Sequence, residues 1–198
     1  MCQKTVLFTG FDPFGSDTVN PASDAVEMLP ETIGNFRIKK LIIPTVFSKA
    51  ADIVTSEIRK TDPAYVICVG LAASRQKVTC EVVGINLREA SIADNEGNTP
   101  KNQPCVEGAP CAYFSTLPVR EMVQAVNQAG VPAALSYTAG AFVCNDLLYT
   151  LLHRFDTAPV KIGFIHVPCA LGMRESGGMP LEDVVKALGA AVSALEQN

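Results

Sequence analysis

The sequence contains few of the residues from which metal sites and disulfide frameworks are built. It has only two histidines, His153 and His166, and its seven cysteines include no Cys-x-x-Cys pair. This argues against both a zinc site and a disulfide framework. No apolar run is long enough to span a bilayer, and the N-terminal residues lead directly into a predicted strand. We therefore expect neither a membrane segment nor a signal peptide.

A cluster of basic residues is also missing. The chain has 16 basic and 20 acidic residues and a net charge of −4. Neither nucleic acid nor an anionic membrane surface is an expected partner, and we expect a cytoplasmic protein. With 198 residues, 48% of them hydrophobic, the chain is long enough for one well-filled core. We expect a single domain over residues 1–198.

Predicted strands and helices alternate along the chain. This pattern favours an α/β fold, a three-layer α/β/α sandwich around a mostly parallel twisted sheet. The strands are predicted at Thr5–Thr9, Ile38–Pro44, Tyr65–Gly70, Val131–Ser136 and Lys161–Val167, with a further strand or ribbon at Lys77–Asn86. The helices are predicted at Pro21–Leu29, Phe47–Lys60, Pro118–Gln128, around Cys144 and at Leu181–Leu195.

Cys144 is placed where a nucleophile would be useful. A buried strand at Val131–Ser136 is followed by the small residues Ala139-Gly140-Ala141 and then by a helix, so the cysteine falls in the first turn. Unpaired N–H groups and the helix dipole favour a thiolate there, which predicts a pKa below the free value of about 8.5. The alternative is a packing role, because free cysteine is often buried.

His166 is the candidate base. It precedes the proline that ends the predicted strand Lys161–Val167, which puts it at the same sheet edge as Cys144. A histidine there can take the proton of the thiol and pass it to a leaving amine. The alternative is a hydrogen-bonded core histidine. His153 lies nine positions after Cys144 and is predicted to point away from it. The acid that orients the base stays open, since twenty acidic residues compete for that role.

The loop after the first strand offers an apolar surface. Phe11 and Phe14 flank Pro13 between two glycines, and they either pack under the loop or form one wall of a small-molecule pocket. Residues 93–110 form a long polar segment, which is typical of a functional loop or of an excursion over the surface.

Several longer motifs follow one another in the chain. They are Thr9–Gly15 with Asn20-Pro21, Gly70–Asn86, Asp94–Pro100, Ser136–Asn145 and Gly163–Pro168. Together they resemble pyroglutamyl peptidase I, the pyrrolidone carboxyl peptidase family of cysteine peptidases. The resemblance runs from the first strand to about Pro168, and nothing is transferred to the segment 169–180.

The resemblance implies a Cys-His-Glu triad at Cys144, His166 and Glu81. It also implies an α/β fold, a commonly tetrameric assembly, and removal of N-terminal pyroglutamate from peptides without metal or cofactor. The alternatives are a cysteine hydrolase of the same fold that acts on another small amide or cyclic acyl group, and a non-catalytic binding or assembly protein.

The resemblance also implies a binding site. Phe11, Phe14 and Phe142 would enclose the pyroglutamyl ring, a neutral lactam that suits an apolar pocket with a few hydrogen bonds. Arg75 would lie near the active site and stabilise the oxyanion of the tetrahedral intermediate. Leu71 departs from the pattern, because many bacterial members have a glutamine there whose amide would lie near the lactam. Losing one such hydrogen bond costs about 1 kcal/mol or more if its partner is left unsatisfied.

Overall fold

The computed structural model describes residues 3–174 and 177–197 of the chain. Cys2 lies outside these residues, and the other six cysteines are free thiols. The strands are β1 (Lys4–Phe11), β2 (Thr32–Ile33), β3 (Phe36–Ile43), β4 (Tyr65–Leu71), β5 (Val78–Glu81), β6 (Val83–Ile85), β7 (Ala112–Phe114), β8 (Ala133–Ser136) and β9 (Lys161–Val167). The helices are α1 (Pro21–Met28), α2 (Lys49–Thr61), α3 (Val119–Gln128), α4 (Val143–Arg154) and α5 (Leu181–Ser193), the last followed by a 3₁₀ turn at Ala194–Gln197.

Seven strands form one sheet in the order β2-β3-β1-β4-β9-β5-β8. The central strands β3, β1, β4 and β9 are parallel to one another, whereas β5 runs antiparallel to β9 and parallel to β8. The mostly parallel sheet of the sequence prediction is confirmed, and the reversal at β5 was not foreseen. Strands β6 and β7 form a separate two-stranded ribbon.

Helices cover both faces of the large sheet. One core cluster joins α1, α3 and α5 to one face, and a second joins α2 and α4 to the other. Because successive strand residues point to opposite faces, Ile162 and Phe164 of β9 lie under α2 and α4, and His166 follows them on that face. The three-layer α/β/α sandwich is therefore confirmed, and its layers decide which side chains can meet.

Local sequence explains most element boundaries. The Asn20 side chain caps α1 by accepting a hydrogen bond from the Ala22 N–H at 3.0 Å, with Pro21 at the first helical position. Helix α2 begins at Lys49 rather than at Phe47. The reason is a tight turn in which the Lys49 N–H donates to the Phe47 carbonyl at 2.6 Å and Ser48 adopts φ +60°.

Two strand predictions need correction. The segment Lys77–Asn86, predicted as one strand or ribbon, is two strands, β5 and β6, in different sheets. The strand predicted as buried at Val131–Ser136 is the half-buried β8, because it forms an edge of the sheet. Within the described residues, no helix combines the length and apolarity that crossing a membrane requires.

Candidate active site

Cys144 is the second residue of α4. The turn before the helix uses Gly140 at φ +77°, a left-handed conformation that favours glycine, and delivers the chain to Val143. The predicted position of the cysteine in the first helical turn is confirmed. Its side chain is partly exposed and lines a cavity.

Helix α4 places the sulfur above strand β4. The Cys144 Sγ is 3.1 Å from the point at which a Cβ on Gly70 would lie. Gly70 is paired with His166 in the register of β4 and β9. Since paired residues of neighbouring parallel strands point to the same face, the sulfur lies over the strand next to the histidine, on the same face of the sheet. Within the described chain no hydrogen bond joins the sulfur to the imidazole.

His166 is held by Glu81. The imidazole Nδ1 lies 2.8 Å from Glu81 Oε1, and both side chains are buried. Glu81 can reach the ring because Thr79 is the strand partner of His166, and Glu81 lies two residues further along on the same face of β5. With Nδ1 donating to the carboxylate, a neutral imidazole presents an unprotonated Nε2 as the proton acceptor.

The Glu81 carboxylate has a lowered pKa and one oxygen without a hydrogen bond in the described chain. Burial opposes ionisation, but the hydrogen bond and charge of His166, together with Arg75, bring the pKa of Glu81 below its usual value. The second carboxylate oxygen, Oε2, has no hydrogen-bond partner in the described chain. Ser136 lies opposite Glu81 in the register of β5 and β8 and also helps to lower the pKa of Glu81, and its hydroxyl donates to the Thr138 carbonyl at 3.1 Å.

The pKa values of Cys144 and His166 both shift in the direction that favours the neutral side chain. Burial raises the pKa of the Cys144 thiol to about 12, and the negative charge of Glu81 adds to the rise. Arg75 and the backbone N–H at the helix start act in the opposite direction and are weaker. The predicted fall in the pKa of Cys144 was therefore wrong. Burial lowers the pKa of His166 and outweighs its hydrogen bond with Glu81.

The Arg75 side chain contacts Glu81 and does not line the cavity beside Cys144. Its Nη1 lies 2.6 Å from Glu81 Oε1 and also contacts the Thr79 hydroxyl, and its Nη2 donates to the Thr138 carbonyl at 2.9 Å. It is not among the residues that line the cavity beside Cys144. Its guanidinium faces Glu81 and the Thr138 carbonyl, and its expected place among the substrate-binding residues stays a prediction.

Beside Cys144 lies a cavity of about 450 Å³ with a largely apolar wall. Phe11, Phe14, Leu71 and Phe142 line it, so the structure brings four of the five predicted binding residues together. The Phe14 and Phe142 rings are 5.2 Å apart, and Phe47 packs edge-on against Phe142 from behind at 5.1 Å. Aromatic pairs at this spacing stiffen the wall.

Other cavity residues were not predicted. Val19, Thr45 and Ile92 contribute to the wall, and Asp17 and Arg174 lie at the same cavity as a two-pronged ion pair with 3.0 and 2.8 Å contacts. No pattern in the sequence singles out Val19 or Ile92; the structure leaves both apolar side chains exposed at the cavity. Arg174 belongs to the segment 169–180, of which residues 175 and 176 lie outside the described chain.

The polar segment 93–110 is tied to the cavity loop. Asn95 Nδ2 donates to Asp12 Oδ1 at 3.1 Å and to the Pro13 carbonyl at 3.0 Å. Asp12 Oδ1 also accepts hydrogen bonds from the Thr45 N–H and hydroxyl, at 2.7 and 2.8 Å. Asp94 is buried, and it accepts from the Phe47 N–H at 3.0 Å. These contacts fix the loop that carries Phe11 and Phe14.

His153, the other histidine of the chain, contacts Tyr113 and lies away from Cys144. His153 Nδ1 pairs with the Tyr113 hydroxyl at 3.0 Å, on the ribbon side of α4, so the prediction that it points away from Cys144 is confirmed. In the part of the chain that the structure describes, no group of three or more His, Cys, Asp or Glu side chains is placed to hold a metal ion.

Comparison with known proteins shows which family this chain resembles over its length. The family described as Pyroglutamyl peptidase matches residues 4–198. The chain is 43% identical over 199 residues to the pyrrolidone-carboxylate peptidase of Alkaliphilus oremlandii, covering 98% of this chain and 93% of the relative. It is also 43% identical over 196 residues to the enzyme of that name from Streptococcus pyogenes, covering 96% and 91%.

Solved structures agree with these sequences. The crystal structure of pyroglutamyl peptidase I from Bacillus amyloliquefaciens superimposes with a TM-score of 0.94 at 39% identity, covering 98% of both chains. Pyrrolidone carboxyl peptidase from Thermococcus litoralis gives 0.93 at 33% identity, covering 98% of this chain and 96% of the other.

Proposed function

This chain belongs to the pyroglutamyl peptidase family of cysteine peptidases, and we propose that Cys144, His166 and Glu81 are its catalytic triad. The enzyme hydrolyses the amide bond after an N-terminal pyroglutamyl residue and releases free pyroglutamate. The observation that carries the assignment is the buried 2.8 Å contact between His166 and Glu81 next to a cysteine that lines an aromatic cavity.

The first half of the reaction is acylation. The Cys144 sulfur attacks the pyroglutamyl carbonyl carbon while His166 Nε2 takes the thiol proton. The tetrahedral intermediate collapses, the C–N bond breaks, and the leaving amine takes that proton from His166. A thioester between Cys144 and the pyroglutamyl group remains. Glu81 keeps Nδ1 as the donor and stabilises the imidazolium that forms between these steps.

The second half is hydrolysis of the thioester. His166 removes a proton from water, the hydroxide attacks the thioester carbonyl, and the C–S bond breaks. The proton returns to the sulfur, which restores the neutral thiol. No residue other than the triad exchanges a proton in this scheme, so the cavity residues contribute binding and orientation.

The cavity suits a neutral ring. Its two lining charges, Asp17 and Arg174, neutralise each other, and the rest of its wall is mostly apolar. A prolyl or glutaminyl amide carries a charged amine that would enter without an anionic partner, which costs several kcal/mol, on the order of 3 or more. We therefore infer that pyroglutamyl amides are turned over much faster than prolyl or glutaminyl amides, despite Leu71. Comparable rates on all three would favour a broader amide hydrolase.

The test of the triad is replacement of its nucleophile. Cys144→Ala should abolish release of a chromogenic amine from its pyroglutamyl amide, whereas Cys111→Ala, at an exposed cysteine, should keep the wild-type rate. Unchanged turnover in Cys144→Ala would reject the assignment.

We further propose a homotetramer in the cytoplasm that acts on peptides with N-terminal pyroglutamate. Support for assembly comes from the family resemblance and from Phe114 and Tyr137, whose exposed fractions of 73% and 63% are large for apolar side chains. Light scattering on the purified protein measures the subunit number, and a monomer would contradict the proposal.

A further inference from the structure

One guanidinium joins three segments of the active site. Arg75 lies in the loop after β4, where its N–H donates to the Ala72 carbonyl in a turn at 2.9 Å. Its side chain reaches Glu81 at the end of β5 and the carbonyl of Thr138, in the turn that leads into α4. The loop after β4, the triad acid and the approach to the nucleophile therefore meet at one side chain.

The contact to Glu81 bears on the histidine directly. Arg75 Nη1 and His166 Nδ1 share the same carboxylate oxygen, Oε1, at 2.6 and 2.8 Å. The Glu81 side chain is wholly buried and its other oxygen is unpartnered in the described chain, so these two contacts fix its rotation. Arg75 is itself only 24% exposed, and a partly buried ion pair is screened less than a surface one.

The contact to Thr138 fixes the other side of the site. Its carbonyl also accepts from Ser136 at 3.1 Å, so the end of β8 and the start of the turn are held together. Gly140 and Phe142 follow within four residues, and Cys144 two residues later. Loss of the Arg75 contacts would therefore change the positions of both Glu81 and Cys144.

We propose that Arg75 is a positioning residue of the triad, which holds the Glu81 carboxylate against His166 and ties it to the turn that delivers Cys144. This replaces the oxyanion role that the family resemblance implied for it. The inference rests on the proposed function and adds a residue to the machinery of that same site.

The charges around the imidazole set the expected direction of the pH effect. The groups that face it are Glu81 from β5, Cys144 from α4 with Cys68 of β4 beneath it, and Arg75. Burial is the main cause that lowers the pKa of His166, and the positive charge of Arg75 lowers it further. The same charge lowers the pKa values of Glu81 and Cys144. Removing it should therefore move all three upward.

The experiment compares Arg75→Gln with Arg75→Lys. In Arg75→Gln we expect kcat to fall about tenfold to a hundredfold with little change in KM, which is less than the loss of a general base, about 10²–10⁴. The acid limb of kcat/KM should move to higher pH. Arg75→Lys keeps the positive charge but loses the planar guanidinium, whose two nitrogens contact Glu81 and Thr138. The acid limb of kcat/KM should therefore stay near its wild-type position, while kcat falls in part.

Two controls separate this inference from folding defects and from the proposed function. Arg154→Gln removes another partly exposed arginine ion pair, with Asp52, and should leave both kcat and the pH profile unchanged. An acid limb that does not move in Arg75→Gln, or a change in KM alone, would overturn the positioning role. Failure of the proposed function shows separately, as an inactive wild type or an active Cys144→Ala.

Discussion

Gly70 has no side chain at the position where β4 passes beneath the Cys144 sulfur. A Cβ there would lie 2.8 Å from Phe164 Cζ and 3.1 Å from Cys144 Sγ, so the ring or the sulfur must move. Gly70→Ala should lower kcat/KM at least about tenfold, because a displacement of about 1 Å can cost up to 10²-fold. It should also lower the free energy of unfolding by about 1–3 kcal/mol through overpacking. Steady-state kinetics and urea denaturation measure the two effects.

Gly189 supplies the matched control for this change. It lies in α5, and a Cβ there would meet nothing within 4 Å. Gly189→Ala should leave the kinetics unchanged and stabilise the helix by about 0.5–1 kcal/mol. Wild-type kinetics in Gly70→Ala would show that the sulfur does not depend on the bare backbone beneath it.

The pH dependence of catalysis reports the state of His166. Burial keeps the pKa of His166 below its usual 6.5, and the reaction needs the neutral imidazole. As pH falls, His166 becomes protonated only when its lowered pKa is reached. The plateau of kcat/KM should therefore extend from neutral pH to below about pH 6.5. A profile of kcat/KM against pH on a pyroglutamyl amide measures this. A half-maximal point above 6.5 would contradict the account.

At the residue scale, position along the chain predicted where Cys144 and His166 lie in the fold but not what surrounds them. Cys144 and His166 follow from a helix start and a strand end. Glu81 came only from the family resemblance, because its reach to His166 depends on the antiparallel pairing of β5 with β9. The raised pKa of Cys144 depends on burial by several elements, which no local pattern contains.

At the scale of elements, the start of α4 is anchored by the residue after the nucleophile. Asn145 is wholly buried, accepts from the Ile85 N–H at 2.9 Å and donates to the carbonyls of Ile85 and Leu87 at 2.8 and 2.9 Å. Asn145→Ala would leave these backbone groups unpaired in the interior. We expect a loss of about 3 kcal/mol in the free energy of unfolding, measured by urea denaturation.

A second asparagine with three hydrogen bonds to backbone groups provides the comparison. Asn127 pairs with the N–H and carbonyl of Ala133 and with the Val123 carbonyl, but it is exposed. Water can replace its contacts, so Asn127→Ala should cost less than about 1 kcal/mol. Equal losses in the two variants would show that burial of the Asn145 contacts is not what stabilises α4.

Long periodic elements were predictable, whereas short ones were not. Strands β1, β4 and β9 and helix α3 lie close to their predicted ranges because uniform apolar runs and helical spacing identify them. The strands β2 and β7 have only two and three residues and carry no periodic pattern. The polar segment 93–110 was recognised as a long loop, but its contacts with Asp12 and Pro13 join residues about 80 positions apart, beyond any sequence window.

At the scale of the whole molecule, the buried pair of His166 and Glu81 makes stability sensitive to acid. Because burial depresses the pKa of His166 in the folded state, the unfolded chain binds a proton first as pH falls below 6.5, and stability declines. The pKa of Glu81 is also depressed: burial opposes this, but His166 and Arg75 outweigh it, so stability declines further below 4.5. The midpoint of urea denaturation should fall as the pH is lowered from about 7 to about 4. In His166→Gln the fall that begins below pH 6.5 should be smaller, because the histidine no longer takes up a proton on unfolding. Constant midpoints would contradict this.

The fold class and the site at one sheet edge were predictable for the whole chain, because both follow from the alternation of strands and helices. The contacts of Arg75, which join the active-site segments, were not predictable. In the sequence, an arginine after a strand is more typical of a charge that faces solvent.

The measurement that tests the account most directly is mass spectrometry of the acid-quenched enzyme during turnover of a pyroglutamyl amide. The account predicts one pyroglutamyl group on the peptide that contains Cys144, and none in Cys144→Ala. A label on another residue, or full activity without any label in Cys144→Ala, would contradict it.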